Sequence, residues 1–137
     1  MAGLKMLHLE NETKEIFSVD QMLPAVGQGA IALQCRNDDQ KTLDIVKMIN
    51  DEESYCCIQA ERALLEAIGG DCDTAVGGLA KLLDKKIVLK SELFSNDGNK
   101  KFVAENSGSF KEAREIGYKV GEELLKKAGS DFKVQGN

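Results

Sequence analysis

A chain of 137 residues, 42% of them apolar, has material for one ordinary core and either a single domain or a small domain with an arm. Its formal charge of −5, with acids spread along the chain, argues against nucleic acid or a membrane surface as a partner, both of which reward clustered cations. Only Arg36, Arg62 and Arg114 are arginines, so planar, forked recognition of carboxylates or phosphates has few donors here.

The opening stretch, MAGLKMLHLENETK, has no cationic flank followed by a long apolar run, which argues against a signal peptide or membrane anchor and for a cytoplasmic protein. PAVGQGA at 24–30 carries glycines like part of a phosphate-cradling loop. It precedes its strand instead of following one and lacks the third glycine, so it reads as a hinge. Pro24 fixes one torsion, Gly27 and Gly29 relax the next, and Gln28 is left to hydrogen-bond something nearby. GAIALQC at 29–35 is apolar on both faces, which predicts a strand buried inside a parallel sheet. Such a strand needs neighbours that this chain does not offer. Residues 1–50 are therefore expected to form an arm that packs on something else, or a piece of a larger protein, with the 29–35 strand available to pair with or swap into a second copy.

Asn37-Asp38-Asp39-Gln40 reads as an N-cap at Asn37 with glutamine three residues on, and Leu43, Val46 and Ile49 recur at helical spacing. Asn50 to Glu53 repeats the signal and opens a second helix with the stripe Cys57, Ala60, Leu64 and Ile68, stopped by Gly69 and Gly70. Glu61 and Arg62 on that helix are expected to be surface charges. The period then changes from that of a helix to that of a strand: Ile87, Leu89, Ser91 and Leu93 alternate with Val88, Lys90 and Glu92, and Ser95 to Asn99 supplies turn chemistry before Phe102 and Ala104. Lys85-Lys86 and Lys100-Lys101 read as solubilising residues at strand ends. With Ala75 to Leu83, these segments predict a three-stranded antiparallel meander. Ser109 and Glu112 form a capping box for a last helix with the stripe Ala113, Ile116, Val120 and Leu124, and Lys126, Lys127 and Gly129 mark its end. The expected fold class is thus α+β, an antiparallel sheet with helices on one face, spanning residues 51–137.

GGDCDT at 69–74 puts Cys72 between two acids just past a helix end, so the thiol is expected to face outward. Its neighbours, Asp71, Asp73 and a helix C-terminus, all disfavour the thiolate, which argues against ordinary cysteine hydrolase or redox chemistry. The single histidine, His8, has no triad-like spacing from it. Two acids flanking a soft thiol make no recognisable site for a hard cation. The remaining cysteines, Cys35, Cys56 and Cys57, form no CxxC pair, so neither a zinc site nor a disulfide framework is expected, and no metal ligand is assigned.

Taken together, LPAVGQGAIALQCR at 23–36, AERALL at 60–65 and GGDCDTAVGG at 69–78 closely resemble porphobilinogen deaminase, also called hydroxymethylbilane synthase, in the family's order and at similar spacing. The resemblance covers essentially the whole chain but only the C-terminal two-fifths or so of that family. It implies a transferase of heme biosynthesis that joins four porphobilinogen molecules head to tail, with release of ammonia, into the linear tetrapyrrole hydroxymethylbilane. It also implies a dipyrromethane cofactor attached by a thioether to the cysteine matching Cys72. Loss of ammonia from porphobilinogen leaves an azafulvene, an electrophile that needs no strongly activated thiolate, so acidic neighbours are tolerable.

Carried over by position, the resemblance places Gln28 near that cofactor and Gly27 and Gly29 in the segment crossing between the family's first two domains. Arg36, Glu61 and Arg62 take structural or interdomain roles. Ala75 stands where many relatives have proline. The resemblance assigns residues 1–22 to the end of the second domain, 23–50 to the first, and 51–137 to the C-terminal cofactor-attachment domain. It puts the catalytic aspartate and the substrate-binding arginines in a portion this chain lacks. No catalytic residue is therefore assigned here, the isolated chain is expected to be inactive, and its Cys72 is expected to be a free thiol without the cofactor. The competing expectation, from a different class, is a small noncatalytic α+β binding or regulatory module.

Overall fold

Capping chemistry sets the helix boundaries. In the computed structural model, which describes residues 2–69 and 74–129, Asp51 accepts from the Ser54 amide at 2.8 Å and opens the long helix Glu52–Ile68, whose far end is Gly69 in the left-handed conformation at φ 67°. The preceding helix, Gln40–Met48, begins two residues later than the sequence suggested. Asp39, not Asn37, is its N-cap, because its carboxylate takes both the Thr42 amide and the Thr42 hydroxyl, at 3.1 and 2.8 Å. A short helix Ala2–Met6 starts the chain, and the last helix runs Ala113–Ala128. We number these four in chain order α1 (Ala2–Met6), α2 (Gln40–Met48), α3 (Glu52–Ile68) and α4 (Ala113–Ala128). The expected capping box is formed: Ser109 accepts from Lys111 and Glu112 accepts from the Ser109 amide, although a single 3-10 turn, Phe110–Glu112, precedes α4.

Strands β1 (Val76–Leu83), β2 (Lys86–Phe94) and β3 (Lys101–Ser109) form the antiparallel meander read from the sequence, in the order β1-β2-β3. The β1–β2 connection is a two-residue turn in which Asp84 and Lys85 both take positive φ, 49° and 63°, the geometry that matches strand twist in tight hairpins. Lys85 is therefore a turn former as well as a surface charge. Lys101 likewise does more than solubilise, since it pairs at 3.1 Å with Glu92, a residue only 8% exposed.

The alternation in β2 sets the core. Ile87, Leu89, Ser91 and Leu93 are all fully buried, and Ala80 and Ala104 from the flanking strands lie on the same face. Leu64 and Ile68 of α3, with Ile116, Val120 and Leu124 of α4, cover that face. The buried Ser91 hydroxyl is satisfied by the Gly77 carbonyl at 2.7 Å. Outside the core, Arg114 and Tyr118 of α4 both hydrogen-bond Glu66 of α3, stitching the two helices along their solvent edge.

The 29–35 segment departs from expectation: it is not a strand. Residues 30–35 have no regular secondary structure, and Ile31 is 92% exposed. A strand apolar on both faces forms only where other strands hydrogen-bond both of its edges, and among the described residues none lies beside it. No residue of α2 is fully buried either, although Thr42, Leu43 and Val46 are half-buried.

Candidate functional site

The loop from α3 to β1 carries Cys72, and Gly70 to Asp73 lie outside the described residues. The walls on either side of that loop are well defined. Gly69 ends α3, and the Phe94 amide donates to Ala75 at 3.0 Å, so pairing with the second strand begins two residues after the undescribed segment. Gly78 of β1 packs against both α3 and the arm. A Cβ there would meet Leu64 at 3.0 Å and Val26 at 3.1 Å, so glycine is what allows strand, helix and arm to meet.

Opposite this loop's elements sits the segment from Leu23 to Ala30. Leu23 is buried, the Gly78 amide donates to the Pro24 carbonyl at 3.0 Å, and Ala25 bridges Gly77 in antiparallel sense. The chain then turns, with the Gln28 amide donating to Ala25 at 3.0 Å and Gly27 and Gly29 at φ 75° and 87°, so the glycines that the sequence marked as a hinge form a turn here. The Gln28 side chain is exposed and lines a shallow recess with Gly29, Ser54, Cys57 and Glu61. Arg36 is exposed and reaches Asp38 and Asp39, at 4.0 and 3.9 Å, and Arg62 is exposed on α3. Neither is brought to this recess.

Glu61 is the correction. Expected on the surface, it is only 4% exposed, and it accepts two backbone amides, Gly27 at 2.7 Å and Ala80 at 2.8 Å. Burial pushes its carboxyl above the ordinary glutamate range, and the two amide bonds pull part of the way back. Because the folded chain then holds this proton more tightly than the unfolded chain, the site's contribution to stability is fullest below the ordinary glutamate value. It falls as pH rises through the raised one.

Neither thiol of the adjacent pair on α3 is activated. Desolvation, reinforced by the Glu61 charge, raises the Cys57 thiol, and desolvation with Glu52 raises Cys56. In timed alkylation of the native chain at neutral pH followed by peptide mass mapping, Cys56 and Cys57 are expected to react more slowly than in the urea-unfolded chain. Equal rates in the two states would contradict these environments. Among the described residues no group of three or more His, Cys, Asp or Glu side chains could hold a metal ion, and no helix is long and apolar enough to cross a membrane.

With the geometry in place, two family models match the chain. Residues 55–126 match the C-terminal domain of porphobilinogen deaminase, and residues 1–44 match the dipyromethane cofactor binding domain of porphobilinogen deaminase. Among curated relatives, the porphobilinogen deaminase of Coxiella burnetii is 38% identical over 131 residues, covering 96% of this chain and 43% of its own. That of Nitrobacter hamburgensis is 35% identical over 132 residues, 96% of this chain and 42% of its own. The chloroplastic porphobilinogen deaminase of Pisum sativum is 36% identical over 135 residues, 96% of this chain and 37% of its own. The chain thus spans about two-fifths of the length of the curated relatives it matches. The α+β unit of three antiparallel strands and two covering helices is what the C-terminal family model spans, and the chain belongs to the porphobilinogen deaminase family.

Proposed function

We propose that this chain is the cofactor-attachment portion of a hydroxymethylbilane synthase, and that Cys72 holds a dipyrromethane through a thioether. The observation that carries the reading is the position of Cys72, in the loop that joins α3 to β1 within the span matched to the family's C-terminal domain. A free thiol is the one donor such a group needs. Cys56 and Cys57, half-buried and with raised thiols, are poorer candidates for covalent attachment. When bound, the dipyrromethane would supply the pyrrole end to which porphobilinogen units are added with release of ammonia. What the chain contributes is the sulfur, a rigid α3–β1 frame on both sides of it, and Gln28 with Gly27 and Gly29 on the segment facing that frame.

Domain assignment follows the same reading. Residues 1–22 belong with the family's second domain, 23–50 with the first, and 51–137 with the third; the two family models divide the chain once, between residues 44 and 55. Arg36 and Arg62 serve structural or interdomain contacts. The catalytic aspartate and the arginines that hold the acetate and propionate groups of the substrate belong to the portion this chain does not span, and the setting is cytoplasmic. The pure 137-residue chain given porphobilinogen is accordingly expected to form no hydroxymethylbilane, as read by the porphyrin absorbance that follows acid oxidation. Measurable product from this chain alone would sink the division of labour.

A further inference from the structure

The segment that the sequence marks as a hinge is held fast over half its length. Between Leu23 and Gly27, every residue has an attachment to the α+β unit or a turn bond. Leu23 is buried, Pro24 accepts from Gly78, Ala25 bridges Gly77, Val26 packs against the core, and the Gly27 amide donates to Glu61. From Gln28 to Gln34 every residue is exposed. The attachments therefore stop where Gly27, at φ 75°, lets the chain turn away.

One side chain organises this boundary. Glu61 stands near the middle of α3, its Oε1 takes the Ala80 amide of β1, and its Oε2 takes the Gly27 amide of the arm. Ala80 lies two residues along β1 from Gly78, whose amide is already given to Pro24. With the Ala80 amide occupied by a carboxylate, the arm cannot continue its pairing in that direction along the strand, and its register on the edge is fixed at Ala25 against Gly77. An ionised carboxylate buried to this degree persists only when its oxygens are satisfied, so the two amides and the carboxylate depend on one another. The other titratable and charged groups around the recess are Asp51, which caps α3, Glu53 and Cys57 of α3 and Lys81 of β1, and the arm contributes only the uncharged Gln28, Gly29 and Ala30.

We propose that Glu61 is a positioning residue that locks Leu23–Gly27 onto the α3–β1 frame as a strap, so that the pivot between this unit and the rest of the arm lies after Gly27. The strap then moves with α3 and β1, the two elements that flank the Cys72 segment, while Gln28 lies towards their other end, in the recess with Ser54 and Leu83. The strap does not rest on the proposed cofactor role.

The test follows the Gly27 and Ala80 amides of the ¹⁵N-labelled 137-residue chain through a pH titration, and compares Glu61→Gln. The two amides, far apart in sequence, are expected to shift together with one midpoint above 4.5, the ordinary glutamate value. Neither should titrate in that way in Glu61→Gln. In that variant the amides of Val26 to Gln28 are expected to exchange with solvent about tenfold faster or more, the scale of a lost charge-assisted hydrogen bond, with Leu89 and Val120 unchanged. Titration of Ala80 without Gly27, or strap exchange equal in the two proteins, would overturn the proposal. If Glu61→Gln fails to fold, the shared midpoint in the parent chain still decides it. Neither readout involves a pyrrole, so a chain that never carries the cofactor leaves this test intact.

Discussion

Replacing Gly117 with alanine is expected to destabilise the folded chain by about 3 kcal/mol, at the upper end of what overpacking a close helix contact costs. Gly117 lies on α4 where it crosses α3. A Cβ there would collide with the Ala60 carbonyl and stand 2.7 Å from the Ala63 Cβ and 2.9 Å from the Leu64 amide nitrogen. These neighbours are helix backbone and a short methyl, with no flexible tip that could swing aside. Relief requires α3 and α4 to separate, which would also open the contact at Gly121, where an added Cβ would stand 2.5 Å from that of Ala67. The gain of about 1 kcal/mol from alanine's better helix propensity offsets only part of this. Urea unfolding followed by far-UV circular dichroism reads the difference, with Gly3→Ala as the control, because a Cβ at Gly3 meets nothing within 4 Å. Midpoints for Gly117→Ala and the parent chain that coincide would contradict the packing.

Cys72→Ser is expected to abolish covalent pyrrole attachment altogether, since a serine hydroxyl has neither the acidity nor the nucleophilicity of a thiol. The setting for this experiment is a hybrid in which residues 1–137 replace the matching segment of the Coxiella burnetii relative, which restores the remaining length of the family. The hybrid should redden with acid aldehyde reagent and the Cys72→Ser hybrid should stay colourless while folding equally well. Colour of equal strength in both would place the attachment elsewhere. A noncatalytic module of the same fold would give colour in neither.

Much of the α+β unit was legible because its signals are local. The Ser109 and Glu112 pair announced its capping box, and the period-two run from Ile87 to Leu93 announced a strand with one buried face. Glu61 was misread because an adjacent Glu-Arg pair on a helix looks like a solvated face, and its partners are backbone amides at positions 27 and 80 that no side-chain pattern marks. A signal for the α3–α4 contact was present and went unused. Gly117 and Gly121, four residues apart, oppose Ala60, Ala63 and Ala67, so small residues on two helices marked a close crossing. The 29–35 segment shows the opposite failure. Its composition suits a strand, but strand formation depends on partners remote in sequence, and the chain alone leaves it exposed. Cys72 was picked out by chemistry and family resemblance, with the described geometry reaching only the elements on either side of it.

The most direct test of the account is the intact mass of the hybrid under denaturing conditions, set against its sequence mass. The account predicts an excess matching two pyrrole units, located by peptide mapping on Cys72 and missing from Cys72→Ser. A cooperatively folded hybrid of unmodified mass, or one whose excess survives the loss of Cys72, would contradict it.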